Sequence, residues 1–575
     1  MDAILIMIIA FVGYLLAYKL YGKFIGQKIF NLTNANKAPS VEFEDGKDYV
    51  PTRKGIIFGH HFTSIAGTGP IVGPAIGIIW GWVPALIWVL VGTIVMGAVH
   101  DFGALVLSMR NQGKSISEIT SKYINPRTRT IFFLIVLLEL WIVVAIFGMI
   151  IAIIFSMYPQ SVFPVWCEIP IAILLGWAVY KRGAKVGVAT LFAVVAMYIT
   201  VVLGHFLPLA MPTIAGLPPT GSWSIILFIY AFLASTLPVT TLLQPRDYIN
   251  AWELFIAMAL VVVGILASGF AGKVSVVAPA VQVNPAEAPS MWPFLFITIA
   301  CGAISGFHSL VSSGTTAKQV AKEEDAIMVG YGSMVMEGML AVIVIIAVAA
   351  GIGMAYTTKD GTVLTGVAAW NTHYASWGAA NGLGSKVASV VVGSANMIAT
   401  IGIPKEIGIV IMGVFIASFA GTTLDTATRL QRYVVQELAS DIKVKFFQNK
   451  YAATAFAVIT AAILAFATGA NGQGALKLWP LFGAVNQILA GLALITITLY
   501  LKQKGGYKYL VSGIPCVFML FMTIWGLILN ERNFIKAGNG LLYIVNAIVI
   551  VISVWMIIEG LAAFGKKKGL KAAEA

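Results

Sequence analysis

Roughly fifteen apolar runs, each near the 20 residues a helix needs to cross a bilayer core, leave this chain little choice of fold. No water reaches the hydrocarbon region, so each backbone polar group must find its partner within the protein, and helices do that segment by segment. Of 575 residues, 59% are hydrophobic and 11% charged, where a soluble domain carries about a quarter charged residues. The expected class is an all-α polytopic membrane protein whose constant partner is the lipid bilayer. A net charge of +13 would point to nucleic acid in a soluble protein. Here the cations gather in short loops between spans and read as topology markers, so no nucleic-acid partner is expected. Cys167, Cys301 and Cys516 show neither disulfide nor zinc spacing. The N-terminus lacks the basic head and small-residue cleavage site of a signal peptide and reads as a retained span.

Basic loops fix the path. Lys23, Lys28, Lys37, Lys47, Arg53 and Lys54 follow the first span, and further clusters fall at Arg110–Arg129, Lys181–Lys185, Lys318–Lys322 and Arg429–Lys450. Placing them all in the cytoplasm, with the tail Lys566, Lys567 and Lys568, puts the N-terminus outside and the C-terminus inside. The region 387–428 then crosses once, so a partial or re-entrant helix is expected before Gly402 and Pro404.

One segment departs from an ordinary span. Phe58–Pro74, FGHHFTSIAGTGPIVGP, carries Gly67, Gly69, Pro70, Gly73 and Pro74 inside an apolar run. Glycine admits unusual backbone angles and proline removes a donor, so an unbroken helix is not expected. Broken backbone at membrane depth survives where protein or a water-filled cavity covers it. The plainer reading is a tight glycine-rich helix crossing. The span near 224–243, with Pro238 and Pro245, reads as a second interrupted helix. Residues 58–207 begin inside and 208–428 begin outside, each group led by a broken helix. That is the pattern of a five-plus-five inverted-repeat transporter. It would be flanked by 1–57 (N-terminal span and loop) and 429–575 (four C-terminal helices), with an outer segment at 356–386.

DYVPTRKGIIFGHHFTSIAGTGPIVGP, GAVHDFGALVLSMRNQGKSISEI, QPRDYIN and SGFHSLVSSGTTAKQV together resemble the carbon starvation protein A (CstA) family. The resemblance covers most of the chain. It implies a bacterial or archaeal inner-membrane transporter of peptides or pyruvate, used when carbon is scarce. It also implies a LeuT-like core akin to the amino acid–polyamine–cation superfamily.

Polar residues at membrane depth are the candidates for function. Glu139 lies mid-span, and His308 titrates near neutral pH; both are candidate proton-coupling groups. Ser312, Ser313 and Thr315 offer oxygens to a sodium ion. Helix-to-helix bonding is the plainer reading of these polar groups. For substrate the expected groups are Ala66, Gly67, Thr68 and Gly69 from the first break, and Thr236, Thr240 and Thr241 from the second. A half-helix N-terminus suits a carboxylate, and Trp141 would add an apolar wall. His60, His61, Asp101 and Arg246 are read as gating groups, Asp101 pairing with Arg246 or Lys54. Asp425 and Arg429 read as an i,i+4 pair; Glu337 has no assigned partner.

The expected function is secondary import of a small carboxylated nutrient by cation-coupled alternating access, with protons ahead of sodium. Pyruvate, amino acids and peptides all remain open as substrate. No cofactor is expected beyond a coupled H+ or a bound Na+, and the chain is not read as an enzyme. A channel is the alternative from another class. A metalloenzyme built on His60, His61, His100 and His308 lacks any supporting spacing.

Overall fold

The computed structural model describes residues 2–35, 37–358, 360–380 and 382–566. Lys567 and Lys568 of the basic tail lie outside the described residues.

In chain order the helices are α1 (Asp2–Ile29), α2 (Lys54–Ala66), α3 (Gly69–Trp80), α4 (Trp82–Met109), α5 (Ile116–Tyr123), α6 (Pro126–Met157), α7 (Pro159–Lys181) and α8 (Val186–Phe206). They continue with α9 (Pro219–Thr236), α10 (Leu243–Phe270), α11 (Met291–Thr298), α12 (Gly306–Gly314) and α13 (Glu323–Met354). Next come α14 (Gly366–Tyr374), α15 (Leu383–Ala399), α16 (Lys405–Asp441), α17 (Lys450–Phe466), α18 (Gln473–Gln503), α19 (Leu510–Lys536) and α20 (Gly540–Gly565). A two-residue hairpin, Tyr356–Thr357 against Val363–Leu364, lies between α13 and α14.

Helix starts follow the local chemistry. Asn125 caps α6, its Oδ1 accepting from the Thr128 amide at 3.1 Å, and Pro126 sits where no amide hydrogen is needed. Ser115 accepts from the Glu118 amide at 3.3 Å and starts α5.

Among the described residues twelve helices are long and apolar enough to span, and α2–α3, bent by 41°, makes a thirteenth. Against the fifteen expected, the segments that fail the length test are 291–314, which is divided, and α17, which has 17 residues. α15 stops at Ala399, before Gly402 (φ 89°) and Pro404, where the partial helix was expected to end.

The centre of the bundle is α6 along α16, α2 along α10, and α12 wedged between α4 and α18. Of those helices α2, α6, α12, α16 and α18 are largely buried and α4 and α10 half buried, whereas α1, α8 and α20 expose apolar faces such as Leu191, Phe192 and Val551. Such faces fit lipid, which asks for no polar cover.

The second interruption is not where the sequence placed it. α9 runs unbroken to Thr236, and Pro238 falls in the turn that follows. Pro245 sits in the first turn of α10, where helix amides have no internal partner, so it breaks nothing. The segment that does break is 291–314, whose apolar run 293–314 reads in the sequence as one continuous span. Its two halves are parted by Ile299–Ser305, around Gly302 at φ +88°.

Candidate functional site

The two breaks meet. α2 ends at Ala66, and Gly67 adopts φ +49°, ψ −142°, which side chains rarely take. A Cβ on Gly67 would lie 2.3 Å from Thr423 Oγ1, and one on Gly69 would lie 2.3 Å from the Cβ of Cys301. A Cβ on Gly302 would lie 3.5 Å from the Cα of Pro70. Glycine is therefore required at position 69, where a side chain would part the two segments.

The second break is tied at several points. Trp88 Nε1 donates to Ile299 O at 2.9 Å, and Thr93 Oγ1 donates to Gly302 O at 2.7 Å. The Gly302 amide donates to Glu337 Oε1 at 2.8 Å. Asn486 Oδ1 accepts from the Phe307 amide at 2.9 Å and so serves the start of α12.

A cavity of about 490 Å³ opens beside the breaks. Thr68, Gly69, Thr298 and Cys301 form its polar floor; Val72, Phe147, Ile150 and Phe534 are apolar wall; Glu287, Trp377, Asn530 and Asn533 line it farther out. A volume of this size, apolar with few polar groups, is typical of small-molecule sites. In the first turn of α3 Pro70 has no amide hydrogen and the Ile71 and Val72 amides donate to Thr68 O at 3.2 and 2.9 Å, so the amide left for a ligand is that of Gly69.

Next to the floor lies a buried chain of ionisable groups. His308 Nδ1 is 2.9 Å from Asp101 Oδ2, and His308 Nε2 is 3.4 Å from Glu337 Oε2. Asp101 Oδ1 is 2.8 Å from His100 Nδ1. The thiol of Cys301, the His308 ring and the Glu337 carboxylate converge within 4.8 Å.

The end of the bundle carrying the basic loops is closed by a second network. Arg246 Nη1 donates to Asp425 Oδ2 at 2.6 Å and its Nη2 to Thr422 Oγ1 at 3.0 Å; Tyr230 bridges the pair. His60 Nδ1 lies 2.6 Å from Asp247 Oδ2, and Ser64 donates to the same oxygen at 3.2 Å. Arg429 Nη1 donates to Asp48 Oδ1 at 3.1 Å. Burial pushes the Asp48 carboxyl up, but Arg429, Tyr433 and Arg432 together outweigh it and hold it below its ordinary value. This tie is therefore complete above the unfolded carboxyl pKa of about 3.9 and is lost as pH falls through the depressed folded value.

Several expected partners differ. Asp101 pairs with His100 and His308, not with Arg246 or Lys54. Asp425 pairs with Arg246, and Arg429 reaches Asp48, so the i,i+4 pair does not form. His60 and His61 are fully buried, His61 bonded to Thr316 Oγ1 at 2.8 Å. Trp141 turns away from the cavity; its Nε1 donates to Thr460 Oγ1 and its ring stacks on Phe456 of α17. Thr236 donates to its own helix at Leu233 O, and Thr240 and Thr241 lie in the turn at the basic end, because the break expected there is a loop between two whole helices. Ala66, Gly67, Thr68 and Gly69 are at the break, and Thr68 and Gly69 line the cavity.

Ser313 donates to Ser309 O at 2.7 Å and accepts from the Ile116 amide at 3.0 Å, while Thr315 bonds back to Val311 O at 3.3 Å. Ser312 Oγ is left buried without a partner among the described residues, as are both Glu139 oxygens. The hydroxyl cluster is thus largely spent on helix bonding. Because Trp141 and Thr240 face elsewhere, Trp141→Phe and Thr240→Val are expected to leave substrate affinity within about twofold of wild type, as for substitutions remote from a site. A larger loss in a binding titration would return them to the site.

Cys301, Thr298 and the pairing of Glu337 were missed from sequence. The signal was Gly302 and Gly306 with Ser305 inside an apolar run, a milder version of the pattern at 67–74.

Multiple apolar helices around a cavity floored by two broken segments define a membrane transporter. This chain belongs to the family described as carbon starvation protein CstA, whose profile matches residues 2–526. It is 33% identical over 594 residues to the peptide transporter CstA of Helicobacter pylori, covering 97% of this chain and 85% of that protein. It is 32% identical over 579 residues to the peptide transporter CstA of Campylobacter jejuni, covering 91% and 80%. The pyruvate/proton symporter BtsT of Escherichia coli is 31% identical over 575 residues, covering 89% of this chain and 80% of that protein. Among solved structures, MhsT in complex with L-phenylalanine aligns over 88% of this chain and 98% of its own, with TM-score 0.47 and 11% identity.

Proposed function

We propose that the cavity between the breaks binds a small carboxylated nutrient, which the protein carries inward by alternating access in symport with protons. The observation that carries this reading is the 490 Å³ cavity floored by Thr68 and Gly69 on one side and Thr298 and Cys301 on the other. The Gly69 amide at the start of α3, beside the Thr68 hydroxyl, receives the carboxylate. Glu287, at the mouth, supplies a charge opposite to an ammonium group. A dipeptide or amino acid has both groups, so peptides are favoured over pyruvate. The name of the E. coli relative supports pyruvate as the second reading and protons as the coupled ion.

With the basic end in the cytoplasm, the cavity lies on the outer side of the breaks and the Arg246 and His60 networks form the closed inner gate. The repeats are then led by α2–α3 and α11–α12, moving the second boundary from 208 to 291. α10 lies along α2 as α18 lies along α12, α9 meets α17, and α6 meets α16. On this reading α7–α8 is an insertion in the first repeat.

Uptake into proteoliposomes tests this. Accumulation of a labelled dipeptide under an inward proton gradient, competed by excess of that dipeptide, is expected. Equal accumulation under a sodium gradient alone, with none under protons, overturns the proton assignment. Pyruvate uptake without dipeptide uptake overturns the peptide assignment. Ion currents with no counterflow overturn the transporter reading in favour of a channel.

A further inference from the structure

We infer that Glu337 is the coupling acid: its ionised carboxylate holds the second break through the Gly302 amide, and protonation at Glu337 releases it. This rests on the reading that the cavity between the breaks holds the transported substrate.

The geometry is specific. Gly302 sits in the middle of Ile299–Ser305, so near Pro70 of the first break that an added Cβ would be in contact with it, and follows Cys301 on the cavity floor. Of the bonds to Gly302 named above, the one from Thr93 is neutral and the one to Glu337 is charge-assisted when the acid is ionised. An ionised acceptor makes roughly twice the bond of a neutral one. Adding a proton to Glu337 therefore weakens the tie on the segment that must move.

The proton has a donor beside Glu337 and a place to rest. Glu337 Oε2 and His308 Nε2 face each other at 3.4 Å, and both are buried without another partner among the described residues. Asp101 holds the far side of His308, and His100 holds Asp101. A proton arriving at His308 Nε2 leaves an imidazolium between two carboxylates. Transfer across the 3.4 Å gap breaks the N–H bond, forms an O–H bond on Glu337 and returns the ring to neutral.

The titratable groups facing this chain are Cys301 beside the break, His100 and Asp101 from α4, Tyr14 from α1 and His61 from α2. No lysine or arginine pairs with Asp101, His308 or Glu337 among the described residues. A fixed cation would hold Glu337 ionised; without one, protons decide its state.

Glu337→Gln keeps an oxygen for the Gly302 amide but takes no proton. In proteoliposomes it is expected to lose accumulation driven by a proton gradient, and the accompanying internal acidification, while substrate counterflow persists. Accumulation at wild-type levels with acidification intact overturns the inference. Loss of counterflow in wild type as well would mean that the cavity reading has failed instead. If Glu337→Gln does not reach the membrane, Asp101→Asn serves. Removing that anion is expected to move the midpoint of the uptake–pH profile down by about one unit or more, because an opposite charge this close stabilises a bound proton by that much. An unchanged profile overturns the inference.

Discussion

Gly69→Ala is expected to cut substrate uptake at least tenfold, corresponding to about 1.4 kcal/mol within the 1–3 kcal/mol that overpacking costs. The new Cβ would lie 2.3 Å from the Cβ and 2.4 Å from the Sγ of Cys301. No rotamer of Cys301 removes its Cβ, so α3 and the Ile299–Ser305 segment must separate. The test is a pair of constructions. Gly69→Ala alone should insert, purify and fail to transport, because the bundle core at α6 and α16 is untouched. Gly69→Ala with Cys301→Gly removes the clashing atoms and should restore a measurable part of uptake. If the double variant is as inactive as the single one, the contact between the breaks is not what limits transport.

The second large effect is on stability. Arg246→Ala leaves Asp425 buried with Tyr230 as its remaining partner, and its Oδ1 already has none among the described residues. Removing one member of a buried ion pair costs about 3–5 kcal/mol. Thermal unfolding of the purified protein in detergent should fall by several degrees. Arg246→Lys should rescue it incompletely, since one ammonium cannot reproduce the fork that meets Asp425 through Nη1 and Thr422 through Nη2. Arg246→Met with Asp425→Leu should recover most of the loss, because an apolar pair carries no desolvation cost. An Arg246→Ala protein that melts with wild type would show that this network does not hold the basic end shut.

The two substitutions act on different parts of one cycle. Gly69 belongs to the surface where the broken segments touch, and Arg246 to the bonds that keep the opposite end closed. The first should change transport with little effect on melting, and the second should change melting first.

What the sequence determined by itself was the kind of protein and one of its two breaks. Apolar runs near the length of a bilayer-spanning helix admit only helices, and five breakers between Gly67 and Pro74 are too dense for any unbroken one. Those are local properties, readable residue by residue. Position relative to a helix end is not local in that way. Pro238 and Pro245 look like breakers, yet one falls in a turn and the other in a first turn that spares its missing amide hydrogen. Gly302 looks milder, yet it is the centre of the second break, because Thr93 of α4 and Glu337 of α13 hold it there. Partner choice was likewise decided only by the fold. Glu337 and His308 are 29 positions apart and Asp101 a further 207 from His308. Nothing in the spacing of such residues brings them together; the packing of α12 and of α13 against α4 does, and burial then requires each charged group to take the partner within reach.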